Sequence, residues 1–125
     1  MVFTNPRVFY KRSEFGNKNQ KSKEDVDFMQ FLVTAYDEID EEAIERRLAV
    51  RDKHLALVEA MYKQGRDLYA VAIMDNDDKM IGSVLIVDFP SRTELDEWLK
   101  VEPYVLGNVW GKIEVKPCKV GPIFL

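Results

Sequence analysis

The feature that most constrains the fold of this 125-residue chain is an apolar stretch at residues 28–36, which reads Phe-Met-Gln-Phe-Leu-Val-Thr-Ala-Tyr. Side chains alternate between the two faces of a strand, and apolar residues occupy both phases of that alternation here. Such a pattern is typical of a central strand that is covered on both faces. The rest of the chain must therefore provide two layers that cover this one strand.

Three further strands are predicted downstream. Residues 68–74 and 80–89 are apolar runs joined by the acidic turn 75–78, and residues 109–115 alternate before Pro117 ends the pairing. The turn lacks the glycine and the distal glutamate of a helix-loop-helix calcium site, so we interpret it as solvated. The apolar tail 120–125 is expected to pack on the body of the protein or on a partner.

The first predicted helix starts after Asp40, which caps it, and stops at Gly65. Its predicted apolar face comprises Ile44, Leu48, Leu55, Val58 and Tyr62. The pattern is also compatible with a break near residues 50–52, after which Asp52 caps a second segment. In that case His54 lies in the first turn of the second segment, where the helix dipole disfavours its protonated form.

The second predicted helix opens with Ser-Arg-Thr-Glu at residues 91–94, a capping box, and stops at Pro103. Leu95, Trp98 and Leu99 face inward along it. The order of elements is thus strand, helix, strand, strand, helix, strand. This order predicts an α+β, ferredoxin-like (βαββαβ) fold, in which an antiparallel sheet of four strands carries both helices on one face.

Two helices on one face leave the other face of the sheet uncovered. We expect Phe28, Leu32, Leu85 and Val87 on that open face, where they would form a large apolar patch of the kind that marks interfaces. The sequence therefore predicts a homodimer joined sheet to sheet, with the N-terminal segment as the competing cover.

Residues 1–26 differ in composition from the predicted domain, residues 27–125. Only one acid, Glu14, accompanies the bases of residues 1–23, which are Arg7, Lys11, Arg12, Lys18, Lys21 and Lys23. We interpret the segment as an N-terminal arm laid over the domain surface of a cytoplasmic protein. A mitochondrial transit peptide is the alternative, because such peptides are basic and poor in acids.

Composition excludes several classes of function. A net charge of −4 gives nucleic-acid binding no electrostatic support, and no apolar run is long enough to span a membrane. The single cysteine, Cys118, rules out an internal disulfide, and one cysteine with one histidine are too few ligands for a usual zinc site. Neither G-x-G-x-x-G nor a P-loop is present. We therefore expect no cofactor and no metal.

Residues 47–55 contain the only histidine, His54. Histidine is the side chain whose unperturbed pKa lies nearest to neutrality, which makes His54 the natural group for proton transfer. Arg47 and Arg51 precede it, and guanidinium groups bind carboxylates and phenolates through charge-assisted hydrogen bonds. This arrangement favours a site for a small anionic molecule, although it does not identify the substrate.

Four motifs stand at residues 45–55 (Glu-Arg-Arg-Leu-Ala-Val-Arg-Asp-Lys-His-Leu), 80–83 (Met-Ile-Gly-Ser), 102–105 (Glu-Pro-Tyr-Val) and 115–117 (Val-Lys-Pro). In order and spacing, residues 45–119 resemble the YciI-like (YCII-related) family of small proteins. The resemblance implies a ferredoxin-like fold, assembly as a dimeric α+β barrel, and a site centred on a histidine and an aspartate. One characterised branch of that family removes chloride from a chlorinated hydroxyquinone.

Under this resemblance the family histidine falls on His54, and the family acid falls on Glu102, in a motif that usually reads Asp-Pro-Tyr or Asp-Pro-Phe. His54 and Glu102 are then the predicted catalytic pair. The predicted substrate-binding residues are Arg47, Arg51, Ser83 and Tyr104. The implied function is that of a cofactor-independent lyase, isomerase or dehalogenase acting on a small anionic or aromatic metabolite. The alternative is a non-catalytic module that binds a small ligand or another protein.

Overall fold

A computed structural model describes residues 28–125, so the predicted arm at residues 1–26 lies outside the described residues. The strands are β1 (Met29–Asp37), β2 (Asp67–Met74), β3 (Met80–Phe89) and β4 (Trp110–Cys118), and the helices are α1 (Ala43–Lys63), α2 (Arg92–Leu99) and α3 (Pro103–Leu106). The sheet is antiparallel in the order β2-β3-β1-β4. This arrangement confirms the ferredoxin-like prediction. No helix in residues 28–125 is long and apolar enough to cross a bilayer.

The strand β1 lies in the interior of the sheet, as its apolar sequence predicts. Phe31, Val33 and Ala35 are buried on the face that carries the helices. They stand opposite Val87, Leu85 and Ser83 of β3, respectively. This pairing places the core between the sheet and α1, because the same face of β3 supplies the matching side chains.

The same register corrects the prediction for the open face. Leu85 and Val87 lie on the helical face and are buried, because they pair with residues of β1 that point toward the helices. Leu32 does lie on the open face, opposite Ile86. The prediction assigned the two β3 residues to the wrong phase of the alternation, and a shift of one residue exchanges the faces.

The continuous first helix is confirmed and the alternative with a break near residues 50–52 is wrong, since α1 continues without interruption from Ala43 to Lys63. His54 therefore lies within the helix and not in a first turn. The predicted apolar face is also wrong in part, because Leu48 and Leu55 are 56% and 43% exposed. The buried positions of α1 are Ala43, Arg47, His54 and Met61. Two polar side chains thus take the place of the expected leucines.

The ends of α1 match the prediction only in position. Asp40 accepts a hydrogen bond from the Glu42 amide and a pair of hydrogen bonds from Arg46, but it is not the N-cap residue, which is Glu42. The Arg46 guanidinium lowers the pKa of Asp40 to about 2. At the other end, Gly65 has a positive φ of 77°, the left-handed conformation typical of a residue just beyond a helix.

The second half of the chain departs from the prediction at two prolines. The Ser91 hydroxyl accepts a hydrogen bond from the Glu94 amide at 3.2 Å, which confirms the predicted cap of α2. Pro103 does not end this helix; it is the first residue of α3. Similarly, Pro117 does not end β4, since it pairs with Phe31 of β1. An edge strand tolerates proline because one row of its backbone groups needs no partner.

Replacement of Gly82 tests the close approach of β3 to β1. A Cβ at this position would lie 2.5 Å from the carbonyl oxygen of Ala35 and 3.1 Å from Cδ1 of Ile73. Because the first contact is with backbone, we expect Gly82→Ala to lower the free energy of unfolding by about 1–3 kcal/mol in urea denaturation. Gly121→Ala is the control, since its Cβ would meet nothing closer than 3.6 Å. Equal stabilities of the two variants would contradict this packing.

Candidate active site

The structure brings His54 of α1 and Glu102 together, although 48 positions separate them in sequence. Nδ1 of His54 lies 2.5 Å from Oε2 of Glu102. The Glu102 side chain is fully buried, and only 7% of the His54 side chain is exposed. The predicted catalytic pair is therefore one direct contact in a largely water-free environment.

Glu102 is held in place by a second hydrogen bond. It is the N-cap residue of α3, and its Oε1 accepts from the backbone amide of Tyr104 at 2.6 Å. Pro103 occupies the first helical position, where a missing N–H has no cost. Each carboxylate oxygen thus has its own partner. The glutamate in place of the family aspartate is long enough to cap α3 and contact the imidazole at once.

The contact with Glu102 defines which imidazole nitrogen is free. An ionised carboxylate only accepts hydrogen bonds, so opposite an ionised Glu102 the proton of the imidazole is on Nδ1. Nε2 then holds a lone pair, and it has no hydrogen-bond partner among residues 28–125. A neutral histidine in this tautomer has the lone pair that a general base requires.

Two aromatic rings surround the imidazole. Tyr104 stacks on His54 with 3.9 Å between ring centroids and an interplanar angle of 18°. Trp110 meets His54 edge-on at 6.0 Å. Because both aromatic residues are buried, they fix the ring orientation of His54 and limit the access of water.

Arg47 belongs to a second buried polar group, two turns before His54 on α1. Its Nη1 donates to both carboxylate oxygens of Asp37, at 2.8 and 2.9 Å, and its Nη2 donates to Ser83 Oγ at 3.0 Å. Trp110 Nε1 donates to the same hydroxyl at 3.2 Å. Burial raises the pKa of the Asp37 carboxyl, and the guanidinium of Arg47 opposes this shift. Arg47 and Ser83 are thus bonded to protein groups.

Arg51 differs from Arg47 in its exposure. It lies on the exposed side of α1 and makes no ion pair or hydrogen bond within residues 28–125. Its charge acts on Tyr104: burial raises the pKa of the phenol, whereas the Arg47 and Arg51 guanidiniums lower it. Among the arginines predicted to bind substrate, Arg51 is the one whose guanidinium is open to a ligand.

Two clefts lie beside this centre. One, of about 410 Å³, is lined by residues at the end of β1, the start of α1 and the start of β3, and includes Asp37. The other, of about 390 Å³, lies between α1 and β2, from Leu55 to Leu68. His54 and Glu102 line neither cleft; the first cleft touches the second buried polar group through Asp37. No cluster of three potential metal ligands occurs in the described part of the chain.

Sequence reasoning did not assign Asp37 to the site, and it left Trp110 between the core and the lining of the pocket. Asp37 was interpreted as part of the turn after β1, yet it shares the alternation phase of Phe31, Val33 and Ala35 and so faces the helices. That phase was the available signal. Trp110 gave no comparable signal, because a tryptophan at the start of a strand is equally expected in the core.

Comparison with known proteins identifies the family. A model of the YCII-related domain matches residues 29–119. The chain belongs to the YCII-related family. Protein YciI of Escherichia coli O6:H1 is 33% identical over 97 residues, which cover 73% of this chain and 97% of that protein. An uncharacterized protein of Haemophilus influenzae is 33% identical over 82 residues, or 61% of this chain and 84% of the other.

One solved structure shares the fold. It is 5-chloro-2-hydroxyhydroquinone dehydrochlorinase from Burkholderia phenoliruptrix in complex with 2,5-dihydroxybenzoquinone, with a TM-score of 0.64 and 21% identity. The match covers 74% of this chain and 96% of that one. At this identity the likeness establishes the common architecture of the two chains and no more.

Replacement of Glu102 by glutamine provides a test of the imidazole tautomer. In Glu102→Gln the single amide oxygen is needed by the Tyr104 N–H, so the NH₂ group faces Nδ1 of His54. An NH₂ group only donates, and we therefore expect the proton to move from Nδ1 to Nε2. Because His54 is the only histidine, the ¹⁵N chemical shifts of its imidazole show this change of tautomer without overlap from other histidines. The exposed Glu97→Gln variant is the control, and identical spectra of the wild type and Glu102→Gln would contradict the assignment.

Proposed function

We propose that this YCII-related protein is a cofactor-independent acid–base enzyme of the lyase, isomerase or dehalogenase type. Its substrate is a small anionic or aromatic metabolite. The observation that carries the proposal is the buried 2.5 Å contact between His54 Nδ1 and the Glu102 carboxylate. A carboxylate in this position holds a histidine in the reactive tautomer and stabilises the imidazolium that forms during proton transfer.

The reaction begins with proton abstraction. His54 Nε2 takes a proton from an acidic C–H or O–H group of the substrate and later returns it to the product or the leaving group. Glu102 stays ionised throughout and balances the positive charge of the imidazolium. Positioned acid–base catalysis of this kind accelerates reactions by about 10²–10⁴-fold.

The exposed guanidinium of Arg51 attracts the anionic group of the substrate. It lies one turn before His54 on the same helix, and its charge acts on Tyr104, whose ring stacks on the imidazole. Arg47 and Ser83 have a different role in this proposal. Since their donors and acceptors bind Asp37 and Trp110, they position the aromatic residues around the imidazole.

The proposal predicts loss of turnover in Glu102→Gln. The full chain is mixed with 5-chloro-2-hydroxyhydroquinone and with a panel of small anionic carbon acids, while chloride release and hydrogen–deuterium exchange are followed. Because the wrong tautomer removes the base, we expect the rate to fall by about 10²-fold or more, by analogy with carboxylate-to-amide changes in other histidine sites. Glu97→Gln is expected to retain the wild-type rate.

A wild-type chain that binds members of the panel without any turnover would support the alternative, a non-catalytic ligand-binding module. A Glu102→Gln variant as active as the wild type would also exclude the proposed role of the carboxylate. The same set of assays distinguishes these two outcomes once circular dichroism confirms that each variant is folded.

We also propose that the chain forms a homodimer through the open face of the sheet. Leu32, Val84 and Val71 share that face, as the register of β1, β3 and β2 requires. Val71 is 57% exposed and Tyr69 is 44% exposed. A sheet that leaves an apolar face in water gains free energy when a second copy covers it.

Dimerisation predicts that a charge on the open face separates the subunits. Val71→Glu is expected to convert the dimer into a monomer, because the carboxylate would be buried without a partner in the interface. Leu48→Glu is the matched control, since Leu48 is 56% exposed on the outer side of α1. Light scattering coupled to size exclusion measures both masses. A monomeric wild type, or a dimeric Val71→Glu variant, would refute this interface.

A further inference from the structure

We propose that Tyr104 is a substrate-contacting residue whose hydroxyl donates a hydrogen bond to an oxygen anion of the ligand, with the Asp37–Arg47 pair as its positioning device. The inference rests on the proposed acid–base function of His54 and deepens it. It assigns the substrate to the carbonyl compounds and hydroxylated rings in which loss of a proton places negative charge on oxygen.

The first observation is a buried phenol without a partner. Tyr104 is 1% exposed, yet its hydroxyl makes no hydrogen bond within residues 28–125. Buried tyrosine hydroxyls usually have a partner. The described polar atoms that are both sealed and unpartnered belong to other residues, such as Arg47 Nε and Trp98 Nε1. The hydroxyl of Tyr104 is not among these sealed atoms, so it keeps a small opening to the surface and is a donor that a ligand can reach.

The second observation is the charge around this phenol. The Arg47 guanidinium lies over the Tyr104 ring at 4.6 Å from its centroid. The Arg47 and Arg51 guanidiniums favour the ionised form of the phenol, whereas the Glu102 and Asp37 carboxylates disfavour it. A ligand anion beside the hydroxyl would meet the O–H donor and these two guanidiniums, with the two carboxylates as the opposing charges.

The third observation is the stack of Tyr104 on His54. With 3.9 Å between the ring centroids, a small ligand that reaches the imidazole is also close to the phenol ring. When Nε2 removes a proton from the carbon next to a carbonyl group, the electron pair of the C–H bond moves to the carbonyl oxygen, which becomes an enolate. The carbon that loses its proton to Nε2 and the oxygen that gains the negative charge are joined through the carbonyl carbon, so one small site can hold both a base and an oxyanion donor.

Tyr104 is held rigidly for this role. Its amide donates to Glu102 Oε1 at 2.6 Å, and Trp110 packs edge-on against its ring at 5.6 Å. The imidazole of His54 stacks on the same ring, and the Arg47 guanidinium lies over it. Arg47 itself is fixed by Asp37 and Ser83. A donor whose position is fixed before the reaction needs no reorganisation when charge develops on the substrate, which is the condition for effective electrostatic stabilisation.

Tyr104→Phe tests the inference because it removes the hydroxyl and keeps the ring. The probes are 2,5-dihydroxybenzoquinone, a planar ring that is anionic at neutral pH, and hydroquinone, a planar ring that is neutral there. Calorimetry on the full chain is expected to show that Tyr104→Phe binds the anionic probe about 10-fold more weakly or worse, because hydrogen bonds to charged groups are the strong ones. Binding of hydroquinone is expected to be unchanged. Glu97→Gln, at an exposed glutamate of α2, is expected to match the wild type with both probes.

Three results would overturn the inference. They are unchanged affinity of Tyr104→Phe for the anionic probe, equal loss of affinity for both probes, and failure of the wild type to bind the anionic probe at millimolar concentration. The equal loss would identify a packing role for the ring. None of these results depends on turnover, so loss of activity in Glu102→Gln tests the His54–Glu102 pair separately from the role of Tyr104.

Discussion

The carboxylate of Glu102 is the group on which the arrangement of this site depends. It is fully buried, and both of its oxygens are used, one by the first turn of α3 and one by His54. Removal of one partner from a buried charged pair costs about 3–5 kcal/mol, because the remaining group is left uncompensated. The position of α3 against α1 is thus tied to the presence of a histidine at position 54. The same contact that orders the fold here also sets the tautomer of the imidazole.

A second buried pair, Asp37–Arg47, stands beside the first on the same face of α1. Arg47 and His54 are two turns apart, and Tyr104 contacts both side chains. A helix whose sheet-facing positions include an arginine and a histidine buries less apolar surface than an ordinary amphipathic helix. Replacement of such buried pairs by well-packed apolar residues is often neutral or stabilising in other proteins. Their presence here is therefore better explained by function than by stability.

The sequence was sufficient for the architecture and insufficient for the packing of α1. Strand β3 was predicted at residues 80–89 and observed there, because alternation and the turn at 75–78 are local signals. The face of α1 was mispredicted because Leu48 and Leu55 fit the helical period and Arg47 and His54 do not look buried. What buries the polar residues is a pair of partners distant in sequence, Asp37 and Glu102, and no local pattern encodes them.

The residues of the candidate site likewise fall into those that the sequence predicted and those that it did not. His54 and Glu102 were predicted because a resemblance to the YCII-related family supplied the pairing that local patterns lack. Asp37 and Trp110 were not assigned, since their roles follow from contacts to Arg47 and Ser83 across the sheet. Arg47 was expected to face the ligand, and it faces the protein. The groups of this site without a hydrogen-bond partner in residues 28–125 are the Nε2 of His54, the hydroxyl of Tyr104 and the guanidinium of Arg51, which are a base, a neutral donor and a cation. That combination suits a reaction in which a proton leaves carbon and negative charge collects on oxygen.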